Sequence, residues 1–223
     1  MSQQVFADSE ALASHAAARV AALCRQAVED HGRCHLVLAG GHTPRRCYEL
    51  LRAMKLPWAA LHVWFGDERC LPPGDPERND AMADGALLAH VPIPPAQVHR
   101  IAAEQGPEAA AEVYAALLAA APPMDIVLLG MGEDGHTASL FPDNPALVDA
   151  RLAVPVHGAP KPPPARVSMG LRTLNAAHHR LILVAGKDKA AALARVRSGE
   201  ALPVARLAEG EWLIDRDAAT PPA

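Results

Sequence analysis

The chain lacks the features that would place it in a membrane, outside the cell or on nucleic acid. No window of its 223 residues has the length and apolarity of a membrane span. The opening MSQQVFADSEALASHAAARV has no basic stretch followed by an apolar one, so no signal peptide is expected. The four cysteines, Cys24, Cys34, Cys47 and Cys70, are scattered through the first third without a C-x-x-C pair. A disulfide framework or a structural zinc is therefore not expected, and reduced thiols in the cytoplasm fit better. No metal site is read among the eleven histidines, most of which are expected at the surface or in caps. The net charge of −4 lacks the basic excess of a nucleic-acid binder. An anionic small substrate would need a local basic site rather than the field of the whole protein. No internal repeat is found.

What is present is a globular composition, half hydrophobic and 21% charged, at a length suited to a single α/β domain over residues 1–223. Helical and strand patterns alternate. The spacing predicts helices over Asp8–Glu29, with Asp8 or Ser9 as cap, and over Pro44–Met54, Asn79–Ala89, Glu108–Ala120 and Lys187–Val196. Short apolar runs predict strands at His35–Ala39, Leu61–Phe65, Gln97–Ile101, Asp125–Leu129, Arg166–Leu171 and Arg180–Ala185. A last edge strand is predicted at Glu211–Asp215. Continuous apolar strands between helices point to a mainly parallel sheet covered on both faces. The proline-rich run Pro155–Pro164 reads as a stiff loop over the sheet edge.

In such folds ligands sit at the carboxyl ends of the strands, and the chemically interesting residues of this chain follow strands. Gly40-Gly41 precedes a helix and can present backbone N–H groups to a phosphate, with Thr43 as a cap. Asp67-Glu68-Arg69 is an acid–acid–base cluster after the second strand. Arg166, Lys187 and Lys189 could hold a phosphate dianion by charge-assisted hydrogen bonds. Gly130-Met-Gly-Glu-Asp-Gly135 matches G-x-G-x-x-G, but Glu133 and Asp134 would put carboxylates where a pyrophosphate should lie. Phe141-Pro-Asp-Asn-Pro145 also interrupts the helix expected from Thr137. A nicotinamide or flavin cofactor is accordingly rejected, and no cofactor is expected. Asp134-Gly-His136 reads better for acid–base work, since a histidine oriented by a carboxylate can be a general base at neutral pH, although an isolated D-G-H more often places a histidine that only caps the helix expected from Thr137.

Together, LAGGHTPRRCYELL, WFGDERCLPPGDPERNDAMA, DIVLLGMGEDGHTASLFP and RVSMGLRTLNAAHHRLILVAGKDKAAAL resemble the signature blocks of the 6-phosphogluconolactonase family, in order, over about residues 36–195. The wider superfamily includes glucosamine-6-phosphate deaminases. The resemblance implies a Rossmann-like three-layer α/β/α sandwich and hydrolysis of 6-phospho-D-glucono-1,5-lactone in the oxidative pentose phosphate pathway. The implied partner is this small phosphorylated sugar lactone, with no nucleic acid and no membrane, on a monomer or small homo-oligomer. Carried onto this chain, it makes His136 the general base, with Asp134 orienting it and Asp67 orienting substrate or water. Gly40, Gly41 and Thr43 would hold the phosphate, with positive charge from Arg69, Arg166 and Lys189. Lys189 rather than Lys187 occupies the family's G-x-x-K position.

Two departures matter. The deaminases continue D-G-H with I-A-F-N-E, and that glutamate supports the histidine; here Phe141 stands in its place and cannot relay protons. His42 stands where the lactonases usually have serine in G-G-S-T-P. The alternatives are a deaminase-like or isomerase enzyme on an amino-sugar phosphate, and a non-catalytic sugar-phosphate binder. The retained Asp67, Asp134 and His136 argue against the binder.

Overall fold

The computed structural model describes residues 2–221; residue 1 and residues 222–223, the ends of the expected domain, lie outside them. The chain runs β1 (Ser2–Phe6), α1 (Ser9–His31), β2 (Cys34–Leu38), α2 (His42–Leu51), β3 (Leu61–Phe65), β4 (Asp67–Arg69) and α3 (Asn79–Ala86). It continues through β5 (Val98–His99), α4 (Pro107–Ala120), β6 (Ile126–Gly130), β7 (Ala153–Val156), β8 (Arg166–Met169) and α5 (Leu171–Ala176). It ends with β9 (His179–Val184), α6 (Ala190–Arg197), β10 (Glu211–Asp215) and α7 (Arg216–Ala219).

Seven strands form a parallel sheet in the order β1-β10-β9-β6-β2-β3-β5. Every residue of β2 is buried, as are the first four of β6 and the last five of β9, because helices cover both faces. The expected mainly parallel α/β sandwich is what the chain forms. Asp8 caps α1, its Oδ1 accepting from Ala11 N at 2.8 Å, and Gly32 ends the helix in the left-handed region at φ 81°.

Three expectations need correction. Glu211–Asp215 is not an edge: β1 pairs outside it, register Ser2↔Glu211 to Phe6↔Asp215. Four of the five β1 residues are exposed, so SQQVF carries no apolar signal to announce a strand. Arg166–Leu171 does not extend the parallel sheet. Its strand portion, β8, is the centre of a separate antiparallel sheet, β4-β8-β7. The Pro155–Pro164 run is not all loop, since Pro155 and Val156 complete β7.

Three of the eleven histidines are neither surface nor capping residues: His35 is buried, and His62 and His99 are half-buried. His35, His62 and His99 stack on neighbouring strands with Trp64, at centroid distances of 4.8 Å for His35–His62, 5.4 Å for His62–His99 and 3.9 Å for Trp64–His99. Trp64 Nε1 donates to His35 Nδ1 at 3.0 Å, which puts the proton of a neutral His35 on Nε2. That Nε2 is buried and has no partner. His31 and His35, four residues apart, meet on one carboxylate: His31 Nε2 lies 3.0 Å from Asp125 Oδ1, and His35 N donates to Asp125 Oδ2 at 2.7 Å.

Burial pushes His35 down to about 4, helped by His62, Arg33 and His99 and opposed by Asp125. Burial likewise lowers His62 and His99. The unfolded chain titrates these rings near 6.5, so it binds more protons than the native state below that pH. Their contribution is full above pH 6.5 and is lost as pH falls toward 4, at about 1.4 kcal/mol per pH unit for each proton taken up on unfolding. The melting temperature is therefore expected to drop between pH 7 and 4.5, and His35→Gln should flatten that slope. A pH-independent melting temperature over this range would contradict the account.

Candidate active site

The strand order sets the location. From β2 the chain moves outward to β3 and β5 on one side, then returns to β6 on the other. The reversal opens a crevice at the carboxyl ends of β2 and β6, the position where open α/β sheets bind ligands. Gly40-Gly41 leaves β2 there, and Gly130–His136 leaves β6 beside it.

Both tyrosines of the chain fix strand ends around this crevice. Tyr48 of α2 donates to Ala39 O at 2.9 Å and accepts from Ala39 N at 2.8 Å. Tyr114 of α4 does the same for Phe65, at 3.0 Å each way. Each hydroxyl satisfies one backbone donor and one acceptor where the strand ladder stops. Gly41, at φ 103°, is the N-cap of α2, and no side chain caps that helix. Thr43 lies inside the first turn and does not act as the expected cap. The N–H groups of His42 and Thr43 thus have no intrahelical acceptor, which makes this helix start a place for an anion.

Strand β4 presents three charged residues. Asp67 is only 7% exposed, and both of its oxygens are engaged. Ser139 Oγ donates to Oδ2 at 2.5 Å, and Asn79 Nδ2 donates to Oδ1 at 3.1 Å. Glu68 accepts backbone N–H bonds from Arg69, Asn79 and Asp80, each at 2.8 Å. Burial pushes its carboxyl up to about 7 against the pull of those three donors. Arg69 donates through Nη1 to Glu77 O, but its Nε is buried without a partner. Arg69 also sits directly opposite Arg166 in the β4–β8 pairing, a like-charge placement that an anion would relieve.

Arg166 is placed differently from a free ligand. Its Nε donates to Pro163 O at 3.1 Å and its Nη2 to Lys161 O at 2.9 Å and Pro162 O at 3.3 Å. The guanidinium lies 5.5 Å from the centroid of Phe141. It therefore anchors the proline-rich loop over the site. Lys189 pairs with Asp188 at 2.7 Å, and Lys161 pairs with Glu133 at 2.6 Å. Glu133, Asp134 and Asp188 all raise the Lys161 ammonium, which places the Lys187–Lys189 turn and the β6 exit in one electrostatic neighbourhood.

The helix expected from Thr137 does not form. Thr137 and Leu140 instead bridge a tight turn, with Ala138 in the left-handed region at φ 49°. Thr137 Oγ1 donating to Gly130 O at 2.9 Å and Ser139 Oγ bonded to Asp67 bracket this strained residue. A preceding turn, in which Gly135 N donates to Gly132 O at 3.0 Å with Gly135 at φ 82°, brings His136 back on Asp134: Nδ1 lies 2.5 Å from Oδ1, and the His136 N–H donates to the same oxygen at 3.1 Å. Burial works against the Asp134 charge, but the His136 contacts outweigh it and hold the carboxyl at about 2. An ionised Asp134 only accepts, so Nδ1 carries the ring proton and Nε2 is a free acceptor. Nε2 has no hydrogen-bond partner among the described residues. The Phe141 ring packs 4.5 Å from the imidazole.

Two cavities are notable. One of about 340 Å³ opens beside Asp134 and Phe141 and reaches Gly158 and Pro160 of the loop. A larger one, about 490 Å³, lies at the amino ends of β1, β9 and β10, at the far end of the sheet from this chemistry. Among the described residues, no group of three or more His, Cys, Asp or Glu side chains is placed to hold a metal ion. Sequence reasoning missed Asn79, Ser139 and Ser168; Ser168 Oγ accepts from Ser139 N at 3.3 Å. Nothing local marks them, since their role depends on partners up to 72 residues away.

Gly132 supplies a test of the pair. A Cβ there would overlap the His136 ring and come 2.6 Å from Asp134 Oδ1. Gly132→Ala should lower turnover by about 10²-fold, the scale of a misplaced reacting group. Turnover within twofold of the parent would show that the pair is not needed where it stands.

The sequence model of the family described as glucosamine-6-phosphate isomerases/6-phosphogluconolactonase matches residues 7–214. A 6-phosphogluconolactonase of Streptomyces coelicolor is 41% identical, over 97% of this chain and 92% of that protein. One from Mycobacterium tuberculosis is 39% identical over 97% and 96%. The solved structure of a Thermotoga maritima 6-phosphogluconolactonase superposes with a TM-score of 0.90 at 27% identity, covering 96% of this chain and 99% of that one. The match over residues 7–214 and the identity to these relatives show that the chain belongs to the glucosamine-6-phosphate isomerase/6-phosphogluconolactonase family.

Proposed function

We propose that the chain hydrolyses 6-phospho-D-glucono-1,5-lactone to 6-phospho-D-gluconate, the lactone step of the oxidative pentose phosphate pathway. The observation that carries this reading is the free Nε2 of His136, its tautomer set by an ionised Asp134, at the same sheet end as the start of α2, which no side chain caps. The family and the lactonases of 39–41% identity support it.

The phosphate docks on the backbone of Gly40, Gly41 and Thr43, with charge from Arg69 and Lys189. Arg166 adds to the field and holds the loop over the sugar. Anchoring the phosphate fixes the lactone carbonyl relative to His136. His136 Nε2 takes a proton from water as the hydroxide oxygen bonds to the carbonyl carbon. The tetrahedral oxyanion then collapses, the bond from that carbon to the ring oxygen breaks, the ring oxygen takes the proton back from Nε2, and the carboxylic acid so formed releases its proton to solvent. Asp134 stays ionised throughout and stabilises the transient imidazolium. Asp67, its two oxygens already engaged, orients the site rather than acting as a base.

Phe141 disfavours deaminase chemistry. Its ring packs against the imidazole, so no carboxylate at that position supports His136. The chain works as one catalytic unit over 1–223, consistent with a single buried core from Leu12 to Ala218. A cytoplasmic setting suits its four unpaired cysteines. No described helix is long and apolar enough to cross a membrane.

The test is turnover of fresh 6-phosphogluconolactone, corrected for spontaneous hydrolysis, with unphosphorylated gluconolactone as control. His136→Ala should lose about 10²-fold or more of kcat. Near-parental kcat would remove His136 from the role of base. Ammonia release from glucosamine-6-phosphate without lactone turnover would replace the lactonase reading by the deaminase one.

A further inference from the structure

Asn79 is the residue at which separate parts of the site meet. It opens α3 and is 6% exposed. Its backbone N–H donates to Glu68 Oε1 at 2.8 Å. Its Nδ2 donates to Asp67 twice, to the backbone O at 2.9 Å and to Oδ1 at 3.1 Å. The same amide occupies the space that a side chain on Gly40 would fill: a Cβ there would lie 2.7 Å from Asn79 Cγ. Asp67 in turn holds Ser139, three residues past His136, through its other oxygen. One planar amide thus touches the backbone of the phosphate loop on one side and the carboxylate that holds the His136 turn on the other.

The chemistry demands an amide. Asp67 Oδ1 is a buried acceptor that needs a donor, and leaving such a group unmatched costs its full desolvation penalty. An aspartate at position 79 would set a second carboxylate against the first. Alanine would leave both the acceptor unmatched and a gap beneath Gly40.

We propose that Asn79 is a positioning residue that ties the placement of the Gly40–Gly41 loop to that of Asp67 and, through Ser139, of His136. A lactone anchored by its phosphate then presents its carbonyl at Nε2. This rests on the lactonase reading for its substrate, but the coupling itself can be read from phosphate binding alone.

The experiment compares the parent with Asn79→Ala and Asn79→Asp, each checked for folding by thermal melting. Affinity for inorganic phosphate is measured by titration calorimetry, and kcat and KM for 6-phosphogluconolactone and for gluconolactone by hydrolysis. Phosphate should bind about tenfold more weakly in both variants. For the phosphorylated lactone KM should rise and kcat fall, while the unphosphorylated lactone, which never uses the anchor, loses less. A folded variant whose phosphate affinity stays within twofold of the parent, or an equal loss on both lactones, would overturn the proposal. If the parent hydrolyses neither lactone, the lactonase reading fails, while phosphate affinity still decides the role of Asn79. If Asn79→Asp does not fold, Asn79→Ala carries the comparison.

Discussion

The buried carboxylate of Asp67 is the constraint on which the site depends. A carboxylate this far from solvent must be matched on both oxygens, and it is, by a serine hydroxyl and an asparagine amide. Hydrogen bonds to a charged group contribute about 1.5–3 kcal/mol each, enough to hold two otherwise unconnected turns in place. Ser139 belongs to the turn after His136, and Asn79 lies against Gly40. The adjacent Glu68 does the complementary work on the backbone, gathering three N–H groups from β4 and the start of α3. Two neighbouring carboxylates on a three-residue strand therefore organise the carboxyl end of a seven-stranded sheet.

That arrangement separates rigidity from chemistry. The parallel sheet and the two tyrosine hydroxyls fix where β2 and β3 end. The small antiparallel sheet, joined to the large one where Met169 N donates to Gly66 O at 2.7 Å, carries the two facing arginines and the anchored loop. Local strain appears at Ala138, within the turn that follows His136, and it is held by bonds from both of its neighbours. At this end of the sheet His136 Nε2 has no hydrogen-bond partner among the described residues, and Arg69 Nε is a buried donor without one.

Much of this was legible in the chain. The strands His35–Ala39, Leu61–Phe65 and Asp125–Leu129 announce themselves as apolar runs, and the glycines and charges after them mark the strand ends as the candidate site. The four blocks name the family because their order and spacing are jointly specific. What stayed hidden depends on distant partners. β1 is polar and exposed, so only its pairing with β10 makes it a strand. β8 reads like any other apolar strand until Asp67–Arg69 and Ala153–Val156 pair with it. The helix expected from Thr137 is displaced by a turn that its hydrogen bonds over-determine. The three loop carbonyls that Arg166 holds are not announced by its local sequence either. Asn79 looks like any helix-opening residue until Gly40 and Asp67 close on it.

The central claim is geometric: one crevice holds a phosphate at the start of α2 and a lactone carbon at His136. A crystal structure with the product 6-phosphogluconate bound tests it most directly. The account predicts the phosphate against the backbone N–H groups of residues 41–43 and Arg69 Nε, with the C1 carboxylate about 3 Å from His136 Nε2. A phosphate seated elsewhere, for example in the cavity lined by His178, His179 and Arg180, or a C1 carboxylate turned away from His136, would contradict it.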